Sequence, residues 1–413
     1  LRIVLAALGI IACLWGIQFS WRAGLSRLLS VYSRQTLSLN SVNRAVELSP
    51  TDPETYDARA QVLFNIGRLD DAVSDVERAV TLRPRDYFLW LELGRARDMI
   101  DDEEGAITAF RESVRLAPFY GEPRWQLGNV LYRAGRIDEG FTEMRRASQI
   151  DPKFWPVLID LAWGTFKGDP QAVERTVEPE SDTVRLLLSR FFIKHGKVKE
   201  GLALIRAVKD LSDKDGAVIL TDLFVTRHYV EAFEVWSILN NLNGSQTGRG
   251  AITDGSFEGR INLREIGFGW QQRADAEQVR VSLDPGGARD GSRSLLLEFT
   301  GNSNPGIPVL YQAVLVEPDT RYTLNFSART QDIVTGGLPF VTIIDASNKE
   351  NPVLAQSAAL PRGTTDWLDY KLEFTTSKTT EAVIISLHRQ GCTSEPCPIF
   401  GQIWLDNFVL RKS

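Results

Sequence analysis

Four prolines set the strongest constraint on how this chain folds. Pro50, Pro84, Pro118 and Pro152 stand 34 residues apart. Other positions recur in the same register: Ala45, Ala79, Ser113 and Ala147 lie five places before them. Ala72, Ala106 and Gly140 lie twelve places before the last three prolines, and Val76, Phe110 and Met144 eight places before. The Leu93-Gly94 and Leu127-Gly128 pairs also match, with Trp90 ahead of the first, whereas Trp125 falls one place out of phase. Proline cannot continue a helix, because it lacks the amide proton and its ring clashes with the preceding turn. A small residue at a fixed offset lets two helices cross closely, and a large apolar neighbour fills the gap beside it. The stretches "NIGRLDDA" and "RAGRIDEG" supply turns, with Gly67 and Gly135 suited to left-handed backbone. The pattern is that of stacked helical hairpins.

This register resembles the tetratricopeptide repeat, whose period is 34 and whose pattern has these small, aromatic and proline positions. Three repeats are expected at 53–86, 87–120 and 121–154, after a helix ending near Pro50. Past Pro152 the register is lost, although "FFIKHGKVKEGLALIRAV" and "RHYVEAFEVWSIL" still read as turn and second helix. The resemblance implies a helical solenoid over 21–240, with a groove lined by the first helix of each pair that binds a protein segment. Arg59, Arg97 and Arg133 are groove candidates, although a solvated helix surface is the simpler account of any single one.

The stretch "LRIVLAALGIIACLWGIQF" carries one charge, Arg2, and otherwise only Gln18 as a strongly polar residue. About 20 such residues span a bilayer as a helix, so residues 1–20 are expected to be a transmembrane anchor. A secretory signal is the second reading, and a lipoprotein cleaved before Cys13 the third; the apolar run continues past Cys13, which favours the uncleaved anchor. Arg22, Arg27 and Arg34 follow the span and would hold that side in the cytoplasm by the positive-inside rule. The character of the C-terminal third argues instead for export to a periplasmic or extracellular face, and export is the expectation adopted.

After the polar, Gly-rich "NNLNGSQTGRG", expected to be a linker over 241–252, the period changes from helical to alternating. "RVSLDP", "SLLLEF", "YTLNFSA", "LPFVTIID", "YKLEFTT", "AVIISLH" and "IWLDNFVL" are short β-rich runs divided by Gly, Pro, Asn and Asp. They predict an all-β sandwich over 253–413, with enough strands for a jelly roll. The fold class expected is therefore multidomain: a transmembrane helix, an all-α tetratricopeptide-repeat solenoid and an all-β jelly-roll sandwich.

The order of "DGSFEG", "GFGWQQR", "DGSRSLLLEF", "LYQAVLVEPDTRYTLNFSAR", "DWLDYKLEFTT" and "IWLDNFVLRKS" resembles the carbohydrate-binding jelly-roll modules of xylan- and glucan-degrading enzymes, over 252–411. The resemblance implies that Glu258 of "FE" and Asp406 of "LDN" help hold one structural calcium ion, with Asp254 or carbonyls near Gly291 completing it. Capping of strand ends without a metal is the equal alternative. It also implies sugar contacts from Trp270, Tyr311, Gln312, Arg389 and Trp404, aromatic rings lying on pyranose faces and amides or Arg reading hydroxyls. Tyr311-Gln312 is the preferred pair and His388-Arg389 a flank, while Trp367 and Tyr322 are expected in the core. Cys392 and Cys397 in "GCTSEPCPIF" are expected to close a small disulfide loop if exported, and to be free thiols in a reducing compartment.

Motifs of chemistry are few. The sequence has no phosphate-cradling Gly-Lys loop, no His-Glu-x-x-His and no Gly-x-Ser-x-Gly. His195, His228 and His388 are scattered, and a net charge of -6 gives no pull toward nucleic acid. The chain is expected to be a non-catalytic envelope protein: a repeat scaffold for protein partners bearing a glycan-binding sandwich, linked to polysaccharide synthesis, export or attachment. A pure protein scaffold with a structural sandwich is the first alternative, and a glycan-active enzyme with an unrecognised carboxylate pair the second.

Overall fold

The computed structural model describes residues 2–240, 248–276, 278–301, 303–393 and 396–413, with side chains from residue 8. They form two compact units, one ending at Pro179 and one beginning at Glu180.

The first unit is all helical. It comprises α1 (Arg2–Thr36), α2 (Leu39–Leu48), α3 (Pro53–Asn65), α4 (Leu69–Leu82), α5 (Tyr87–Asp98), α6 (Glu103–Leu116), α7 (Gly121–Arg133), α8 (Ile137–Ile150), α9 (Trp155–Thr165) and α10 (Pro170–Val177). Two residues after Pro50 and Pro84 stand Asp52 and Asp86, whose side chains accept the backbone N–H of Glu54 and Phe88 and so cap α3 and α5. The small residues sit where the pairs cross. A Cβ on Gly94 would lie 2.5 Å from the Phe110 ring, and one on Gly128 would meet Met144 Cγ at 2.6 Å and the Gly140 carbonyl at 2.8 Å. Ala72, Ala106, Ala79 and Ala147 are wholly buried. Trp125, out of phase in sequence, stacks on Phe154 at 4.6 Å. Gly67 and Gly135 adopt positive φ, 78° and 77°, in the turns assigned to them.

Helix α1 has two parts. Residues 8–21 are exposed apart from Gly16, including Leu14, Trp15, Ile17, Phe19 and Trp21. Further along, Ser26, Ser30 and Ser33 are buried, the Ser26 hydroxyl donates to the Ala45 carbonyl at 2.8 Å, and Arg34 pairs with Asp57 at 2.7 Å. The second part is thus the first helix of a hairpin with α2, continuous with the apolar part. Among the described residues α1 is the one helix long and apolar enough, by length and composition, to cross a membrane.

The second unit holds two further hairpins, α11 (Asp182–Lys194) with α12 (Val198–Arg206) and α13 (Asp213–Val225) with α14 (Tyr229–Leu239). They are followed by β1 (Arg280–Asp284), β2 (Ser294–Gly301), β3 (Leu310–Leu315), β4 (Arg321–Thr335), β5 (Pro339–Asp345), β6 (Val353–Gln356), β7 (Gly363–Thr375), β8 (Ala382–Arg389) and β9 (Ile399–Lys412). The strands make two antiparallel sheets, in the orders β1-β2-β9-β4-β7 and β3-β8-β5-β6. One core joins them, including Leu297, Phe299, Leu324, Phe326, Ile343, Ile385 and Leu405.

The division of the chain differs from the expected domain boundaries. Helices α11 to α14, expected to continue the solenoid from the look of their turns and second helices, belong with the sheets, and α13 and α14 pack on the outer face of the β3-β8-β5-β6 sheet. Leu223, Tyr229 and Trp236 form one buried cluster with Phe268, Ala313, Leu315, Ala346 and Ala382. Arg227 donates to the carbonyls of Ala346 and Asn348, both at 2.6 Å, and the Tyr229 hydroxyl donates to Ala346 at 3.0 Å. Residues 241–247 of the expected linker lie outside the described residues. Cys392 and Cys397 are joined as a disulfide, with Cα atoms 5.5 Å apart.

Candidate binding surfaces

On the helical unit, the first helices of successive hairpins are tied by ion pairs. Arg34 on α1 reaches Asp57 on α3; Arg95 on α5 reaches Glu92 at 2.7 Å and Glu122 on α7 at 2.8 Å; Arg133 on α7 reaches Asp98 at 2.5 Å. Of the three arginines expected in the groove, Arg133 joins this series. Arg59 pairs with Asp75 on α4 at 2.6 Å and Arg97 with Glu77 on α4 at 2.8 Å, so both brace helix against helix. Asp57 is buried, and burial pushes its carboxyl up to about 6 although Arg34 opposes the rise.

At the N-terminal ends of α5 and α7 lie exposed aromatic residues that sequence reasoning missed. Phe119 is 86% exposed, Tyr120 56% and Phe88 43%, and the Tyr87 and Tyr120 rings lie 5.0 Å apart. The signal was present in "PFYGEP", two aromatic residues in a turn where polar residues are usual. Isolated exposed apolar residues need no explanation, whereas exposed aromatic side chains near one another are candidates for an interaction surface.

On the sandwich, the residues expected to touch sugar do not converge. Side chains of a strand alternate between faces, so Tyr311 and Gln312 point opposite ways. Gln312 is wholly buried, donating to the Thr253 carbonyl at 2.8 Å, and its Oε1 has no partner. Tyr311 lies on the outer face of β3, half-buried, its hydroxyl donating to Gln271 Oε1 at 3.2 Å. Burial raises that phenol. Trp270 is 4% exposed, packed between Phe257 and Phe408, and its indole donates to the Asp254 carbonyl at 3.2 Å. Arg389 is 3% exposed and feeds the carbonyls of Ser303 at 2.7 Å and Cys397 at 3.0 Å, which fastens the disulfide loop to the end of the sandwich. Burial lowers its pKa.

Trp404 belongs to the outer face of the other sheet. The Arg329 guanidinium lies 4.0 Å from its ring centroid and 5.7 Å from that of Trp367, a stacked arrangement worth about 0.5–2 kcal/mol per contact. The Trp404 indole donates to Asp284 at 2.6 Å; the Gly286 amide, and then this indole, hold the Asp284 carboxyl below its usual range. Trp367 is therefore partly exposed on this face and not in the core, whereas Tyr322 is a core residue as expected. Of the five residues, only Tyr311 offers surface on the face opposite Trp404. That face continues through Ser386, Thr342 and His388: the Thr342 and Ser386 hydroxyls share a hydrogen bond at 3.0 Å, and His388 Nε2 lies 3.0 Å from Ser386 Oγ. Burial depresses His388. Its other half is roofed by α13, α14 and Phe268.

Glu258 and Asp406 both hold the turn between β1 and β2. Glu258 accepts the Ser292 hydroxyl and the amides of Ser292 at 2.6 Å and Arg293 at 3.0 Å; these bonds, the hydroxyl first, lower its pKa. Asp406 is fully buried and accepts the amides of Arg289 at 2.9 Å, Asp290 at 3.3 Å and Asn407 at 2.7 Å. Burial raises Asp406, the amides oppose that rise, and the Glu258 charge adds to it. Gly291 adopts φ 77°, which favours glycine, and a Cβ there would also crowd the Glu258 carboxylate. Asp254 takes the Gly259 amide at 3.1 Å. Among the described residues, no third Asp, Glu, His or Cys joins the pair in a group that could hold a metal. The oxygens face N–H and O–H donors, so a calcium ion would have to share them and draw its other ligands from backbone carbonyls.

Comparison with known proteins gives the class of the helical unit. A family model described as tetratricopeptide repeat matches residues 58–121. Tetratricopeptide repeat protein 33 of Xenopus laevis is 32% identical over 91 residues, which are 22% of this chain and 35% of that protein. The BBSome complex member bbs-4 of Caenorhabditis elegans is 25% identical over 128 residues, 29% of this chain and 28% of that one. The chain spans about a third of the length of these curated relatives. A crystal structure of MamA shares 18% identity, with 41% of this chain and 82% of that chain covered, at a TM-score of 0.28. The N-terminal region contains tetratricopeptide repeats that resemble those of protein-binding scaffolds, and a β-sheet domain follows it.

Proposed function

We propose that this chain is a membrane-tethered scaffold: α1 inserts in a bilayer, the repeats hold a polypeptide partner, and the sandwich braces the last two hairpins. The observation that carries the reading is the exposure of Phe88, Phe119 and Tyr120, with the Tyr120 ring against half-buried Tyr87, at the N-terminal ends of α5 and α7. Rings of this kind supply large contact area at low entropic cost, and they dominate the energetics of interfaces. The repeat-protein relatives, scaffolds as a class, support a non-catalytic role. Residues 3–21 are free of charge and would cover about 28 Å as a helix, close to a hydrocarbon core. The disulfide supports export of the bulk of the chain, since reducing compartments do not keep such bonds.

The test is proximity labelling in intact membranes with the wild-type chain and with Phe119→Ser/Tyr120→Ser, both checked for unchanged melting. Loss of a defined set of labelled proteins from the variant is expected. An identical set in both would overturn the assignment of the cluster.

A second reading, glycan binding by a jelly-roll-like sandwich, is favoured by the outer face around Tyr311, Thr342, Ser386 and His388, where hydroxyls line a surface beside an aromatic ring. Retardation of the full chain in xylan- or β-glucan-containing gels, lost in Tyr311→Ala, would support it. Equal mobility with and without polysaccharide would leave the sandwich a purely structural body.

A further inference from the structure

The exposed side of α1 is more ordered than an anchor requires. Serines 26, 30 and 33 face α2, and away from them runs a second stripe with a seven-residue repeat. Leu14, Trp21, Leu28 and Gln35 hold one position of the heptad, and Gln18, Leu25 and Tyr32 the position four residues on. Leu14 is 61% exposed, Trp21 69%, Leu28 66% and Tyr32 52%. Lipid accounts for the part up to Trp21. It does not account for Leu28 and Tyr32, which lie about 10 and 16 Å further along the axis at 1.5 Å per residue, past Arg22 and Arg27. Apolar residues at heptad spacing on a water-facing helix side suit a short coiled-coil seam.

We infer that a second copy of this chain covers the stripe, as a parallel two-fold helix pair running from the membrane span through the first hairpin. Two glutamines select this occupant over another apolar helix. Gln18 sits within the apolar run and Gln35 beyond it, both on the seam. In a symmetric parallel pair each position meets itself across the axis, and a carboxamide is donor and acceptor at once, so it complements its own copy. A polar side chain within a span gains from such a partner. Parallel orientation follows from identical insertion of both copies. The span part of the inference and the parallel orientation rest on the membrane reading; the exposed seam from Leu25 to Gln35 does not.

The experiment uses the full chain in isolated membranes, with Cys13→Ser as background. Single cysteines are introduced as Leu28→Cys and Gln35→Cys on the stripe, and as Arg22→Cys and Thr36→Cys off it. Copper-phenanthroline oxidation is expected to give a species of twice the chain mass from the first two and little from the others, because cysteines with Cα atoms more than about 7 Å apart do not bridge. Absence of that species at Leu28→Cys and Gln35→Cys, or equal yields at all four, overturns the inference. A photo-crosslinking residue at Tyr32 identifies the occupant: an adduct of twice the chain mass supports a second copy, and an adduct of any other mass overturns it. Alkaline carbonate washing of the same membranes separates the two readings. Cross-linked dimer released by the wash supports the seam from Leu25 to Gln35 but sinks the anchor and with it the span part of the pair; retained, uncross-linked chain supports the anchor and overturns the pair.

Discussion

Replacing Gly128 by alanine measures how far the repeats depend on close helix crossing. Within a helix the change has an intrinsic gain of about 0.5–1 kcal/mol, because alanine loses less backbone freedom on folding. At Gly128 the new methyl would lie 2.6 Å from Met144 Cγ, 2.8 Å from the Gly140 carbonyl oxygen and 3.0 Å from the Met144 amide nitrogen. Two of these three are backbone atoms, so α7 and α8 must move apart, and overpacking of this kind costs about 1–3 kcal/mol. The net expectation is a loss of about 0.5–2 kcal/mol, or roughly two- to thirty-fold more opening at 1.4 kcal/mol per decade. Amide hydrogen exchange on peptides from α7 and α8 in the full chain reads this locally, without assuming that a repeat array unfolds in one step. Gly164 on α9 is the control, since nothing lies within 4 Å of a Cβ there, and Gly164→Ala should slow exchange slightly. If Gly128→Ala were as protected as the wild type, backbone proximity would not be what fixes the glycine.

Two other outcomes follow from charge. Asp57 has its folded pKa raised by burial from 3.8 to about 6, so the native state holds the proton more tightly than the unfolded chain. Its contribution is complete below about pH 4 and is lost as pH rises through about 6, worth up to about 3 kcal/mol. Asp57→Asn should gain on the wild type between pH 4 and 7 in melting or exchange of α1 to α3, and a constant difference between the two would contradict the burial. With the oxygens of the Glu258–Asp406 pair already taken by N–H and O–H donors, the second unit is expected to melt alike in calcium and in chelator; a rise at saturating ion, about 2.7 kcal/mol at a hundredfold over Kd, abolished by Glu258→Gln, would instead establish a calcium site. Equal melting in calcium and in chelator would leave the two carboxylates as acceptors for the turn amides alone.

The helical hairpins were legible because their cause is local and periodic. Pro50, Pro84 and Pro118 recur at the chain's own spacing, and Gly94, Gly128 and Ala106 sit where a larger side chain does not fit. The capping pair Asp52 and Asp86 belonged to the same register and went unread. Strands could be placed from alternation, but which sheet face meets solvent depends on partners far away in sequence. Tyr311 and Gln312 are neighbours that alternation sends to opposite faces, and that step was available from the sequence. The roof of α13 and α14 was not, because Ala313, Leu315 and Ala382 look like any half-buried strand residues until Trp236 and Phe268 are laid on them. Trp404 likewise reads as a platform until Arg329 occupies its ring.

The joint at Arg227 and Tyr229 bears on how such a protein is assembled over evolutionary time. A sandwich that has given one of its faces to the helices before it is no longer an exchangeable bead: transplanted without residues 180–240 it would carry an oily scar where Leu223 and Trp236 once lay. Helices and strands from Glu180 onward must therefore be inherited, cut or moved as one piece.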